Sequence, residues 1–285
     1  MFIGSIVSLI TPFNDNNDID EKALREMVEW HISEGTDGIV CLPTYGELSF
    51  LSNHEKLRVL RIVKSATNNK IPVIANISNQ STQLTLEMTK KVMEVGIDGG
   101  LVVFPYYDEP NPPEIIRHFI EISSVGLPII IHHLPEMSDV NIFSEDYKSL
   151  TSLNNIVAIK HSYMNLNRTI KNSICPVLCG EDSHVIKVMQ KGGKGSISII
   201  ANIIPSTWQT IIKLCLKEEF EKANSLYLQW RKLLDIFEHN EKYPIIKYAL
   251  SLLGKCNFKI RNHKYDLPLE TKIQIKDALL EYNLI

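Results

Sequence analysis

Ile156-Val157-Ala158-Ile159-Lys160-His161-Ser162 places one amine near the end of an otherwise apolar run. A charged lysine is costly to bury, so this position needs a reason. If the run is a strand, its side chains alternate faces. Ile156, Ala158 and Lys160 then point one way, and Val157, Ile159 and His161 the other. Lys160 stands on a small, apolar face. Desolvation there favours the neutral amine, the form that attacks a carbonyl to make a Schiff base. The ordinary alternative is a lysine that ends its strand and reaches out to water.

Outward from this run, short apolar stretches alternate with helix-period segments, a pattern of parallel strands joined by crossover helices. Strands are expected at Ile6–Ile10, Gly38–Leu42, Val73–Ile77, Gly100–Phe104, Ile129–His132, Val157–Lys160, Val177–Cys179 and Ser196–Ile200. Helices are expected near Asp20–Glu34, Asn53–Ala66, Thr82–Val95, Pro113–Ser123, Ser144–Leu150, Asn165–Asn172, His184–Gln190 and Pro205–Leu216. Eight such units in 285 residues predict an α/β fold, a (β/α)8 TIM barrel, with a doubly wound open sheet as the competing arrangement. Only helical pattern comes after them, at Glu218–Glu238, Glu241–Leu253 and Leu269–Tyr282. We therefore expect a barrel over residues 1–217 and a C-terminal helical extension over 218–285, packed on it as a layer.

Composition excludes several classes. The net charge is -3, with acidic and basic residues interleaved, so there is no basic stripe for nucleic acid and no polybasic membrane anchor. The five cysteines, Cys41, Cys175, Cys179, Cys215 and Cys256, form no CxxC pair, and their odd number argues against a disulfide framework. A reducing cytoplasm and a small-molecule partner are the expectation. The opening run Met1–Ile10 lacks a basic flank and stops at Thr11-Pro12, so it reads as a buried first strand rather than a signal peptide.

In a barrel the active site is built where the strands end. Strand 2 runs into Pro43-Thr44-Tyr45-Gly46-Glu47, hydroxyls beside a glycine whose turn suits a carboxylate. Strand 4 ends in Phe104-Pro105-Tyr106-Tyr107, and strand 5 in His132-His133-Leu134-Pro135. Adjacent histidines on a strand face opposite sides, and no other donor has metal-ligand spacing, so no metal is expected. Cys179-Gly180-Glu181-Asp182-Ser183 offers carboxylates that either bind substrate hydroxyls or cap the next helix, with capping the simpler use. Strand 8 brings Ile200 to the same mouth, where it joins Thr44, Tyr45 and Gly46 as an expected substrate contact. A lysine beside hydroxyls, phenols and an imidazole fits class I aldolase chemistry.

These motifs are similar to those of the dihydrodipicolinate synthase/N-acetylneuraminate lyase family, Schiff-base-forming (β/α)8 barrels acting on pyruvate or another 2-oxo acid. The resemblance spans the chain: Gly4-Ser5-Ile6-Val7 through Thr11-Pro12-Phe13, then Thr44–Glu47, Pro105-Tyr106-Tyr107, Ile159-Lys160, Gly180-Glu181-Asp182, Gly195–Ser198 and Ala201-Asn202. The opening and spacing look closest to the dihydrodipicolinate synthase branch. The resemblance implies that Lys160 is the Schiff-base lysine, with no cofactor beyond that imine. It also implies that Thr44 belongs to a proton relay, that the turn at Thr44-Tyr45 holds pyruvate's carboxylate, and that Tyr107 reaches into a neighbouring subunit of a dimer or tetramer.

The departures are as specific as the matches. Where the family has the tyrosine of a Tyr-Asn-x-Pro pattern, this chain has His132 ahead of His133-Leu134-Pro135, and an imidazole near neutral pH can both donate and accept a proton. The second hydroxyl of the family turn is Tyr45. The arginine found shortly after the proline in the synthase branch is absent from Glu136-Met137-Ser138, and the family's Asn-Pro ahead of a lysine is replaced by Lys242-Tyr243-Pro244 before Lys247. The expectation is a lyase or aldolase in which Lys160 forms an imine with a 2-oxo acid and His132, Thr44 and Tyr107 move protons while a C–C bond to an aldehyde is made or broken. Dihydrodipicolinate synthesis is one alternative, although loss of the arginine tilts toward a sugar-like 2-oxo acid. A binding or regulatory barrel that keeps the lysine without turnover is the other.

Overall fold

The β-branched runs hydrogen-bond in parallel, each to the next in sequence and the eighth to the first, so the sheet closes into a barrel. In this computed structural model residues 2–43, 48–105, 111–133, 144–161, 169–171, 173–238, 241–261 and 267–285 are described. The strands are β1 Gly4–Ser8, β2 Gly38–Cys41, β3 Val73–Asn76, β4 Gly99–Val103, β5 Ile129–His133, β6 Ile156–His161, β7 Val177–Cys179 and β8 Gly195–Ser198. Between them run α1 Glu21–Ser33, α2 Asn53–Thr67, α3 Thr82–Val95, α4 Pro112–Ser123, α5 Ser144–Thr151 and α6 Val185–Gln190, and α7 Pro205–Leu216 comes after β8. The expected (β/α)8 barrel is therefore the fold, and the open sheet is not. Closure depends on glycine at one seam: a Cβ on Gly195 (φ +152°) would lie 2.2 Å from the Gly4 carbonyl oxygen, so β8 could not pair with β1.

Local chemistry starts the helices. Ser52 and Glu55 form a capping box at α2, and Asn111 with Glu114 forms another at α4, where Pro112 and Pro113 occupy positions that need no N–H donor. The helical extension is α8 Phe220–Gln229, α9 Arg231–Glu238, α10 Lys242–Leu252 and α11 Leu269–Glu281. The expected single helix over Glu218–Glu238 is thus broken. The chain turns at Trp230, whose ring stacks on Tyr282 with centroids 4.5 Å apart. Of the helix expected over Asn165–Asn172, residues 169–171 are described and are helical. No helix among the described residues is long and apolar enough to cross a membrane.

Two apolar clusters fill the molecule. The larger lies between barrel and helices. The smaller takes one inward residue from each strand, Ile6, Val40, Ile74, Leu101, Ile130, Ala158, Leu178 and Ile197, with Phe2 closing it from below. This hydrocarbon floor, worth roughly 1.5–3 kcal/mol per buried large side chain, supports the next inward layer at the strand ends.

Candidate active site

Side chains alternate along a strand, so the residues two positions beyond the floor also point inward. On β5 and β6 these are His132 and Lys160, two steps past Ile130 and Ala158, and the register pairs them side by side. The alternation expected for β6 holds from Ala158 onward. It fails for Ile156, because the register shifts between Ile129 and Ile130; Ile156 joins the outer cluster, while Val157 packs against the floor. A bulge of this kind re-aims the side chains beyond it.

Lys160 is 6% exposed. Burial holds its amine down to about 8, with Glu181 and Asp182 opposing that shift and Lys242 adding to it. A substantial fraction is therefore the neutral nucleophile at physiological pH, whereas an ordinary lysine would be almost wholly charged. Space for the side chain comes from β7: a Cβ on Gly180 would meet Lys160 Cε at 3.1 Å and Cγ at 3.3 Å. The Gly180 N–H donates to the His161 carbonyl at 2.9 Å, which keeps that glycine against the lysine.

His132 is also buried, and its imidazole is pushed well below its ordinary value, chiefly by burial and then by the positive charge at Lys160. It is therefore the neutral imidazole at pH 7 and does not titrate near neutrality, contrary to the expectation from its ordinary value. Among the described residues its Nδ1 finds no hydrogen-bond partner. His133 and His161 face the helices, as alternation requires. The rings of His133 and His161 stand 4.9 Å apart, and the Tyr147 hydroxyl bonds His133 Nδ1. No group of three His, Cys, Asp or Glu among the described residues could hold a metal ion.

The carboxylates after β7 do not cap the next helix. Asp182 Oδ2 instead accepts the Ile199 and Ile200 N–H groups at 3.0 and 2.8 Å, pinning the β8 turn to the β7 turn. Glu181 Oε2 receives Lys242 Nζ at 2.7 Å, from the first residue of α10. The sequence marks the Gly180-Glu181-Asp182 stretch but not its pairing with Lys242, because the two charges lie 61 residues apart. Ile200 is fully buried in a 3-10 turn, its side chain packed in the larger cluster. Thr44, Tyr45, Gly46 and Tyr107 lie outside the described residues.

A buried nucleophilic lysine, a neutral imidazole beside it and a rim of charges can carry imine chemistry. The sequence matches the dihydrodipicolinate synthetase family over residues 1–280. It is 37% identical to the 4-hydroxy-tetrahydrodipicolinate synthase of Geobacter metallireducens, over 100% of both chains. The dihydrodipicolinate synthase of Aquifex aeolicus superposes with a TM-score of 0.94 at 32% identity, covering 99% of each chain. The chloride-inhibited enzyme from Acinetobacter baumannii complexed with pyruvate gives 0.94 at 30% identity, covering both chains fully.

Proposed function

Since this chain belongs to the dihydrodipicolinate synthetase family, of class I aldolase-type lyases and synthases, we propose that it is a 4-hydroxy-tetrahydrodipicolinate synthase using pyruvate and aspartate semialdehyde. The observation that carries this reading is the Lys160 amine, buried over an apolar floor and held near 8. Its lone pair attacks C2 of pyruvate and water leaves, giving an iminium. Loss of a C3 proton gives the enamine, whose C3 then bonds to the aldehyde carbon, and the resulting alkoxide takes up a proton. The amine of the aldehyde substrate then displaces Lys160 from C2, closing the ring and freeing the enzyme. No cofactor beyond this imine is needed.

His132 is the inward polar group nearest in register to Lys160 and serves as the proton relay in this reading, together with Thr44 and Tyr107. The turn Thr44-Tyr45-Gly46 holds pyruvate's carboxylate in this reading. Tyr107 reaching into a neighbouring subunit makes the working form a homodimer or homotetramer, located in the cytoplasm. The synthase reading is preferred to a sugar-acid lyase because the relatives that match end to end are named as the synthase. Borohydride reduction in the presence of pyruvate tests it. The wild-type chain should gain one reduced pyruvate by mass, and Lys160→Ala none. Absence of the adduct from the wild type removes the Schiff-base assignment and leaves a binding barrel.

A further inference from the structure

Glu181 and Lys242 form an ion pair at the rim of the barrel, 2.7 Å from Nζ to Oε2, with side chains only 24% and 25% exposed. It joins the end of β7 to the start of α10, and Gly180, one residue before Glu181, lies against Cε of Lys160. Asp182, one residue after, is anchored to the β8 turn, so Glu181 is held between two fixed neighbours. Both charges are felt at the Lys160 amine. Partly exposed ion pairs contribute little to stability, so folding alone is a weak reason for this one.

A cation beside an anion complements a molecule that carries the opposite pair, and the head of an α-amino acid is such a molecule. The synthase reading requires an aldehyde with that head, and Glu136-Met137-Ser138 offers no cation for its carboxylate. We propose that Lys242 and Glu181 are specificity-determining residues for the aldehyde, Lys242 holding its α-carboxylate and Glu181 its α-ammonium. Each protein charge keeps an opposite partner before and after binding, which avoids leaving a desolvated charge unmatched. Glu181 also lies on the strand end that flanks Lys160, so the ammonium is kept beside the imine carbon and, once it has given a proton to the Glu181 carboxylate, displaces the lysine as the free amine.

This inference rests on the synthase reading, and its test separates the two. With pyruvate saturating, the wild type is assayed with aspartate semialdehyde, and with succinic semialdehyde (no ammonium) and 3-aminopropanal (no carboxylate) as inhibitors. Both inhibition constants should exceed the KM for aspartate semialdehyde about tenfold or more, the effect of losing one charge-assisted hydrogen bond. Lys242→Met should raise that KM roughly 10- to 100-fold, Lys242→Arg should keep it within about threefold, and Glu181→Gln should abolish the preference over succinic semialdehyde. A wild type that condenses pyruvate with aspartate semialdehyde but binds all three aldehydes alike overturns the inference alone. So does Lys242→Met with an unchanged KM and only a lowered melting temperature. A wild type that forms no pyruvate adduct fails the synthase reading itself.

Discussion

Burial does for Lys160 what sequence neighbours could not do. Its amine is lowered to about 8 because water is excluded, and the floor that excludes it comes from all eight strands. The same exclusion fixes His132 as a neutral imidazole. A neutral imidazole can pass a proton without becoming a stable cation, so a kcat profile without an ionisation near 6.5 is expected. His132→Phe should still trap pyruvate on Lys160 but lose roughly 10²–10⁴-fold in turnover, the usual range for a positioned acid–base group. Rapid-quench trapping and steady-state turnover on the same preparation check this, and equal turnover removes His132 from the relay. The lysine and the inward face of β6 from Ala158 onward were legible from alternation. The bulge at Val157 was not, because a one-residue shift against β5 leaves no mark in the composition of β6.

Between elements, one arginine ties the C-terminal extension to the N-terminal loops. Arg261 donates to the Asn17 carbonyl at 2.6 Å and the Phe50 carbonyl at 3.1 Å, and pairs with Glu55 at 2.6 Å. The Phe13 ring has Arg261 Cζ 4.2 Å and the fully buried Lys247 Nζ 4.1 Å from its centroid, so it meets two cations. The guanidinium holds the Glu55 carboxyl down at about 2. Arg261→Ala should therefore cost ~2–4 kcal/mol, read as a lower urea midpoint, because several charge-assisted bonds and a cation–π contact are lost together. A change below ~0.5 kcal/mol would make the clasp incidental. Helix positions were legible here from their period, whereas the break at Trp230 answers to Tyr282, far along the chain.

For the molecule as a whole, acid is the expected weakness. His31 and His133 are held down at about 3 and His118 at about 4, each first by burial, and His132 lies well below its ordinary 6.5. The unfolded chain then binds more protons than the folded one below pH 6.5, so stability rises with pH through that window and falls as pH drops toward 3. His31, His133 and His118 should each remove on the order of 1–2 kcal/mol between pH 7 and pH 5, and His132 acts in the same direction. Urea midpoints across that range check this, and a flat profile would mean that these rings stay protonated in the fold. The sequence by itself determined the eight-fold alternation, the parallel α/β arrangement and the lysine placed at a strand end, because each depends on period and on residue type within one segment; the pairing of β8 with β1 decided that the sheet closes rather than staying open. Only the tertiary structure decided that His132 stands level with Lys160, that Gly180 makes room for the amine and that Lys242 meets Glu181. Those depend on register and closure, which bring together residues that no local pattern links.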